Sequence, residues 1–175
     1  MPAPDLEVHV AHLTRNVEIM SESTELMHRG HVMFMHTNDV QVHNVAFNDL
    51  GRTDKSVHND DALVMGDGTL MPLSGTNVRA RYSLHFHRAG GSLANDPAVV
   101  AGSVANGNPG WAFVNHSSYV NFTDNVAYDV FGAGFAAEAG DEAGSFHHNM
   151  AVAISGTGGS PKELRRFDNW GFDGD

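Results

Sequence analysis

Apolar and polar positions alternate through much of the chain, with the two-residue period of a strand rather than the 3.6-residue period of a helix. In the stretch Arg81 to Gly90, Leu84 and Phe86 fall on one face of an extended segment, and His85 and His87 fall on the other. The segment from His31 to Phe47 repeats the alternation with Met33, Met35, Val40, Val42, Val45 and Phe47. Val8-His9-Val10 and Val17-Glu18-Ile19 read as shorter strands, and a helical period surfaces only weakly, around Glu22 to Met27.

The alternation is organised by a repeat. A four-residue phrase opens with Asn, or once Ser, at positions 16, 44, 77, 103, 125, 149 and 169. The intervals are 28, 33, 26, 22, 24 and 20 residues, which fit a unit of roughly 20 to 24 residues carrying insertions. Such a unit matches one coil of a right-handed parallel β-helix, an all-β solenoid, and the count predicts about six to seven coils. Asn side chains at equivalent turns are then expected to stack in a hydrogen-bonded ladder along the axis. Residues 1–175 are expected to form a single such domain, with residues 51–75 as an inserted loop over one face. The Gly- and Ser-rich tail carries no capping element, so the chain is expected to be a fragment, capped by missing domains or by self-association.

A second pattern lies on the first. The phrases Met33-Phe34-Met35-His36, Leu84-His85-Phe86-His87, Phe113-Val114-Asn115-His116 and Phe135-Ala136-Ala137-Glu138 each lead from an apolar residue to a polar one three positions on. His116 follows Ser103 by 13 residues, and Glu138 follows Asn125 by the same interval. Coils lie about 4.8 Å apart, so His87, His116 and Glu138 on successive coils would span about 10 Å, with His85 beside them. Two kinds of chemistry fit this column. His85, His87 and His116 would ligate a divalent ion, Zn²⁺ or Ca²⁺. Alternatively, His87 and His116 work as acid–base groups, with Glu138 orienting them and Arg81 stabilising a developing anion. Arg81, Arg88, His36 and His58 are the expected substrate contacts. Met33 and Met35 read as core packing, and Asp60, Asp61, Asp141 and Glu142 as solvated loop acids.

Composition narrows the partners. A formal charge of −11 argues against nucleic acid and requires any anionic ligand to find local cations. There is no cysteine, hence no disulfide framework, and no stretch approaches a membrane span or a signal peptide.

The phrases Gly51-Arg52, Arg81-Tyr82-Ser83-Leu84-His85-Phe86-His87-Arg88-Ala89-Gly90, Phe113-Val114-Asn115-His116 and Asn125 to Glu138 resemble one family's β-helix region. It is the family of the cell-migration-inducing hyaluronan-degrading proteins, their transmembrane relatives and the fibrocystin-like receptors. The resemblance runs over roughly residues 9 to 155. Ser83 stands where the family phrase has Pro, and Ala139-Gly140-Asp141 follows the glutamate in place of Asp-Gly. The resemblance implies a right-handed parallel β-helix and a secreted or cell-surface parent protein, and only some members degrade hyaluronan. The expected function is therefore that of a polysaccharide-acting enzyme, a hydrolase or lyase of uronic-acid-containing glycans such as hyaluronan. The alternative is a non-catalytic glycan-binding or adhesion module.

Overall fold

A computed structural model describes residues 9–156. Twelve strands account for its regular structure, with a single 3₁₀ turn at Leu26–His28. Every ladder between named strands is parallel. One sheet stacks β1 (Val17–Met20), β4 (Val45–Asn48), β7 (Val104–Asn108), β9 (Val126–Phe131) and β12 (Met150–Ser155). A second assembly carries β2 (Val32–Met35), β5 (Leu84–Gly90), the first half of β8 (Phe113–Thr123) and β10 (Phe135–Ala137) in one ladder. Its other ladder holds β3 (Gln41–His43), β6 (Ala98–Ala101), the second half of β8, and β11 (Ala143–His147). The chain visits the three ladders in turn, so strands about one repeat apart become neighbours.

Inside the stack lies the main core of Phe47, Leu84, Phe86, Val100, Phe113, Phe122 and Val130, joined by the partly buried Phe34 and Phe135. Aromatic rings on adjacent rungs stack, Phe113 on Phe135 at 5.1 Å and Phe122 on Phe146 at 5.0 Å. No helix among the described residues is long and apolar enough to cross a membrane.

The polar ladder exists, with a different membership from the repeat. The Asn149 Oδ1 accepts the Asn125 amide, the Asn125 Oδ1 accepts the Ser103 amide, and the Ser103 Oγ accepts the Val45 amide, at 2.9, 2.9 and 3.2 Å. Val45, not Asn44, therefore occupies the rung equivalent to Ser103, and Ala46 pairs with Val104. The copies at 16 and 44 are in register with each other but slipped by one residue from the later three. Asn44, with a φ of 55°, occupies the left-handed corner position that Gly102, Asp124 and His148 hold in the later coils, a conformation that Asn tolerates better than most residues. The first sheet thus has five described strands where six to seven coils were expected. Asn77 begins no coil; its side chain accepts the Asp54 amide and donates to the Asp54 and His58 carbonyls, tying the insertion together. The copy at Asn169 lies outside the described residues.

The insertion leaves after β4 and returns at β5. Its base is sealed rather than loose: Gly51, Thr53 and Lys55 are buried. The Arg81 carbonyl accepts the Arg52 and Thr53 amides, while the Thr53 hydroxyl donates to the Val78 carbonyl and accepts the Arg81 amide. The acids predicted to be solvated work inside this loop. Asp61 pairs with Arg79 at 2.5 Å, and Asp60 accepts from the Thr76 hydroxyl.

Candidate functional site

The outward face of β5 and its neighbours carries the imidazoles. Inward-facing Leu84 and Phe86 are fully buried in the core, which forces His85 and His87 to the opposite side. His87 pairs in register with His116 of β8, and the β10 register carries Glu138 to the next rung. The rings of His87 and His116 lie 4.4 Å apart, and those of His85 and His87 5.3 Å apart. One ligand nitrogen from each of His85, His87 and His116 falls within 4.8 Å of the others.

The second cluster of apolar residues explains why this face is not wet. Ala80, Tyr82, Trp111 and Val114, with Met33 and Ala136 against them, roof the outward side of the sheet. His85 and His116 are consequently 0% and 2% exposed, and the Glu138 side chain 1%. A carboxylate so buried needs partners. The Glu138 Oε2 lies 3.1 Å from the His116 Nδ1 and 3.4 Å from the His85 Nε2, and the Tyr82 hydroxyl donates to Oε1 at 3.3 Å.

These contacts fix the tautomers. The His85 Nδ1 meets the Ala80 carbonyl at 3.2 Å, and a carbonyl only accepts, so that nitrogen carries the proton. In the neutral ring the His85 Nε2 then bears a lone pair, facing the cluster and the Glu138 carboxylate without a hydrogen bond. Likewise His116 gives its Nδ1 proton to Glu138, which leaves its Nε2 as the lone-pair nitrogen. The His87 Nδ1 is buried and has no hydrogen-bond partner. Three imidazoles gathered beside one carboxylate, two of them with the lone-pair nitrogen fixed by the bond at the other nitrogen, make the donor set of a cation site. Imidazoles oriented through their second nitrogen by a carbonyl or a carboxylate are typical of metal-ligating histidines.

Other members were hidden from sequence reasoning. Lys55, from the base of the insertion, is fully buried with its ammonium 4.3 Å from the Trp111 ring centroid and 5.3 Å from that of Tyr82. It thereby props the ring whose hydroxyl holds Glu138. Glu142 is no solvated acid: its carboxylate accepts the amides of Ser117, Glu138, Ala139 and Gly140, which fixes the turn that presents Glu138. Burial opposes its ionisation, but these amides outweigh burial and hold its pKa below the ordinary 4.5. No spacing rule points to either residue; only the loop-to-rung packing does.

The remaining expected contacts scatter. His36 aligns with Arg88 rather than His87, because Val32 pairs with Leu84; it is exposed with a φ of 57°. Arg88 is exposed at a register shift in β5, also with positive φ. His58 lies exposed in the insertion. Arg81 does adjoin the cluster, lining a cleft of about 430 Å³ with His31, Met33, Met35, Arg52, Ala80 and His87. Met33 and Met35 line this cleft rather than the main core, and Met35 is 46% exposed.

Burial, with Arg52, Arg81 and His85 nearby, holds the His31 pKa down to about 4 from 6.5. Burial followed by His116 and His85 lowers that of His87. Both rings are neutral at pH 7. Because the unfolded chain binds these protons first, each depressed pKa makes stability fall as pH drops below 6.5, for His31 until about 4. The urea midpoint is expected to decline over that window. The decline should be shallower in His31→Gln, and an unchanged slope in that variant would refute the assignment.

No curated protein and no solved structure matches the chain. Residues 67–167, more than half of its length and spanning β5 to β12 with the imidazole cluster, match the family model described as CEMIP beta-helix, and the chain belongs to that family.

Proposed function

We propose that the protein cleaves uronic-acid-containing polysaccharides such as hyaluronan, outside the cell, at the cluster of His85, His87, His116 and Glu138. The single observation that carries this reading is the convergence of three imidazole nitrogens within 4.8 Å beside a buried carboxylate. Family membership supports the hyaluronan connection, and a right-handed winding of the coils is the expectation for crossovers between parallel strands. The donor set suits a zinc-type ion, since three imidazoles with an open position are a familiar catalytic arrangement. Calcium, which takes six to eight oxygen ligands, does not fit these nitrogens.

In this reading His85, His87 and His116 hold the ion, which when bound acidifies water or polarises an oxygen of the sugar. Ala80 and Glu138 keep His85 and His116 in the ligating tautomer, and Tyr82 keeps Glu138 in place. The roof of Tyr82 and Trp111 excludes bulk water. Glycosidases of the usual kind need two carboxyl groups flanking the bond. Here Glu138 serves the imidazoles and Glu142 is occupied by backbone amides, so metal-assisted hydrolysis or β-elimination fits better than the two-carboxylate route.

The test is incubation of zinc-loaded protein with a panel of uronic-acid glycans, following chain length and the absorbance of unsaturated products. Shortening is expected, lost with chelator or in His116→Ala and restored to the wild type by zinc. Unsaturated ends identify elimination. Failure to shorten any member of the panel would reject the enzymatic reading. The near-complete burial of His85, His116 and Glu138 favours a second reading, a glycan-binding module whose cluster is structural. Tight binding without cleavage would select it.

A further inference from the structure

The cleft beside His87 has a composition that the imidazole cluster does not explain. Its floor is Met33 and Met35, the outward side chains of β2, one rung before His85 and His87. Its walls are Arg52 and Arg81, held together by the bond from the Arg52 amide to the Arg81 carbonyl at 2.8 Å, and His31 completes the lining near both arginines. Among the described residues neither guanidinium pairs with a carboxylate. Arg52 donates to the Arg29 carbonyl at 3.1 Å and Arg81 to the Arg79 carbonyl at 3.3 Å, and each retains further N–H donors. In a chain of net charge −11, two arginines without an acidic partner in one cleft are unusual, since carboxylates are abundant. Arg29 and Arg79, close by in sequence, both have one.

We infer that this cleft is a subsite for the carboxylate of a uronic acid residue, with Arg52 and Arg81 as its cationic walls and Met33 and Met35 as the apolar bed for the sugar ring. Guanidinium donors match the planar carboxylate, and the thioether side chains offer soft contact to the ring's C–H face. His31, neutral in the working range, adds a hydrogen-bond donor or acceptor without competing for the anion. Because His87 belongs both to this lining and to the imidazole cluster, a sugar seated here would bring its neighbouring linkage toward that cluster. The subsite rests on the polysaccharide reading and adds what selects the substrate: the acidic sugar, rather than the amino sugar, is the one gripped beside His87.

Calorimetric titration of the zinc-loaded protein tests this with two ligands. One is an oligosaccharide of alternating glucuronic acid and N-acetylglucosamine; the other is the same oligosaccharide with its carboxylates reduced to alcohols. The reduced ligand is expected to bind at least about tenfold more weakly, the scale of a lost charge-assisted pair. Arg52→Gln and Arg81→Gln should each weaken the acidic ligand by a similar factor and leave the reduced one unchanged. Arg52→Lys keeps the charge but loses the two-pronged donor, and should fall between wild type and Arg52→Gln, which covers the event that Arg52→Gln misfolds. Equal affinity for both ligands, or loss of both in a folded Arg81→Gln, would overturn the subsite while leaving the polysaccharide reading intact. Binding of neither ligand by the wild type would overturn both.

Discussion

Removing the carboxylate of Glu138 is expected to have the largest effect of any single substitution, and the two obvious variants should separate its two roles. In Glu138→Ala a side chain that is 1% exposed disappears from contact with His116, His85 and Tyr82. Breaking a buried ionic or hydrogen-bonded cluster from one side costs about 3–5 kcal/mol, because the partners stay buried without compensation. For a domain of this size that amounts to a fall in Tm of roughly 6–20 °C. Glu138→Gln keeps the volume and one acceptor, so its Tm should move by only a few degrees. It removes the charge that orients His116 toward a cation, and such substitutions lower metal affinity by about 10- to 100-fold. Thermal unfolding followed by circular dichroism and zinc competition against a chromophoric chelator read the two effects separately. A Glu138→Ala protein as stable as wild type would show that the buried cluster contributes nothing to the fold. Undiminished zinc affinity in Glu138→Gln would remove Glu138 from the metal proposal.

Lys55→Ala is expected to be nearly as damaging, although Lys55 lies in the insertion and not on a coil. Its ammonium sits over two aromatic rings in a site closed to water, where a cation–π contact is worth about 2 kcal/mol or more. Its buried alkyl chain fills the space beneath Tyr82 and Trp111, and truncating it leaves a cavity with its own penalty. A combined loss of about 3–4 kcal/mol, or roughly 6–16 °C in Tm, follows. Lys55→Met preserves most of the packing and isolates the charge; it should recover part of the loss. Because Tyr82 hands its hydroxyl proton toward Glu138, Lys55→Ala should also weaken zinc binding, a change that loosening of a remote loop would not produce. Zinc affinity equal to wild type in a folded Lys55→Ala would break the link from the insertion to the cluster.

How much of this was legible beforehand depended on where register survives in the chain. Between Val99 and Ser155 the coils run with little interruption, and there the spacing carries His116 and Glu138 to adjacent rungs. The alternation in Leu84 to His87 likewise assigns the imidazoles to one face, because the opposing residues are too apolar to face outward. Earlier in the chain the same arithmetic slips. The Asn of the early phrase sits at the left-handed corner that Gly102 occupies later, one place before Ser103, and the pairing of Met35 with His87 puts His36 one place out of line. Counting residues cannot detect a one-residue slip, yet in a strand that slip turns a side chain to the other face. Asn77 resembled a repeat only because Val78 follows it; its amide is consumed by the loop. Lys55, Arg52, Tyr82 and Glu142 reach the cluster or its cleft by packing across the insertion and by backbone amides. Those routes have no fixed spacing, so no periodicity announces them.

The insertion between β4 and β5 has an implication for how such proteins diversify. Its two ends are clamped to each other through Arg52, Thr53 and Arg81, so the rungs before and after it meet regardless of what the outer part of the loop contains. Lengthening a loop whose ends are already joined costs only about 0.6 kcal/mol per doubling. The outer residues of the loop are thus free to be rewritten, resized or exchanged, while Lys55, Arg52 and Arg81 stay beside the imidazole cluster and its cleft. New ligand preferences can be acquired on this scaffold by editing one excursion, leaving the stacked rungs untouched.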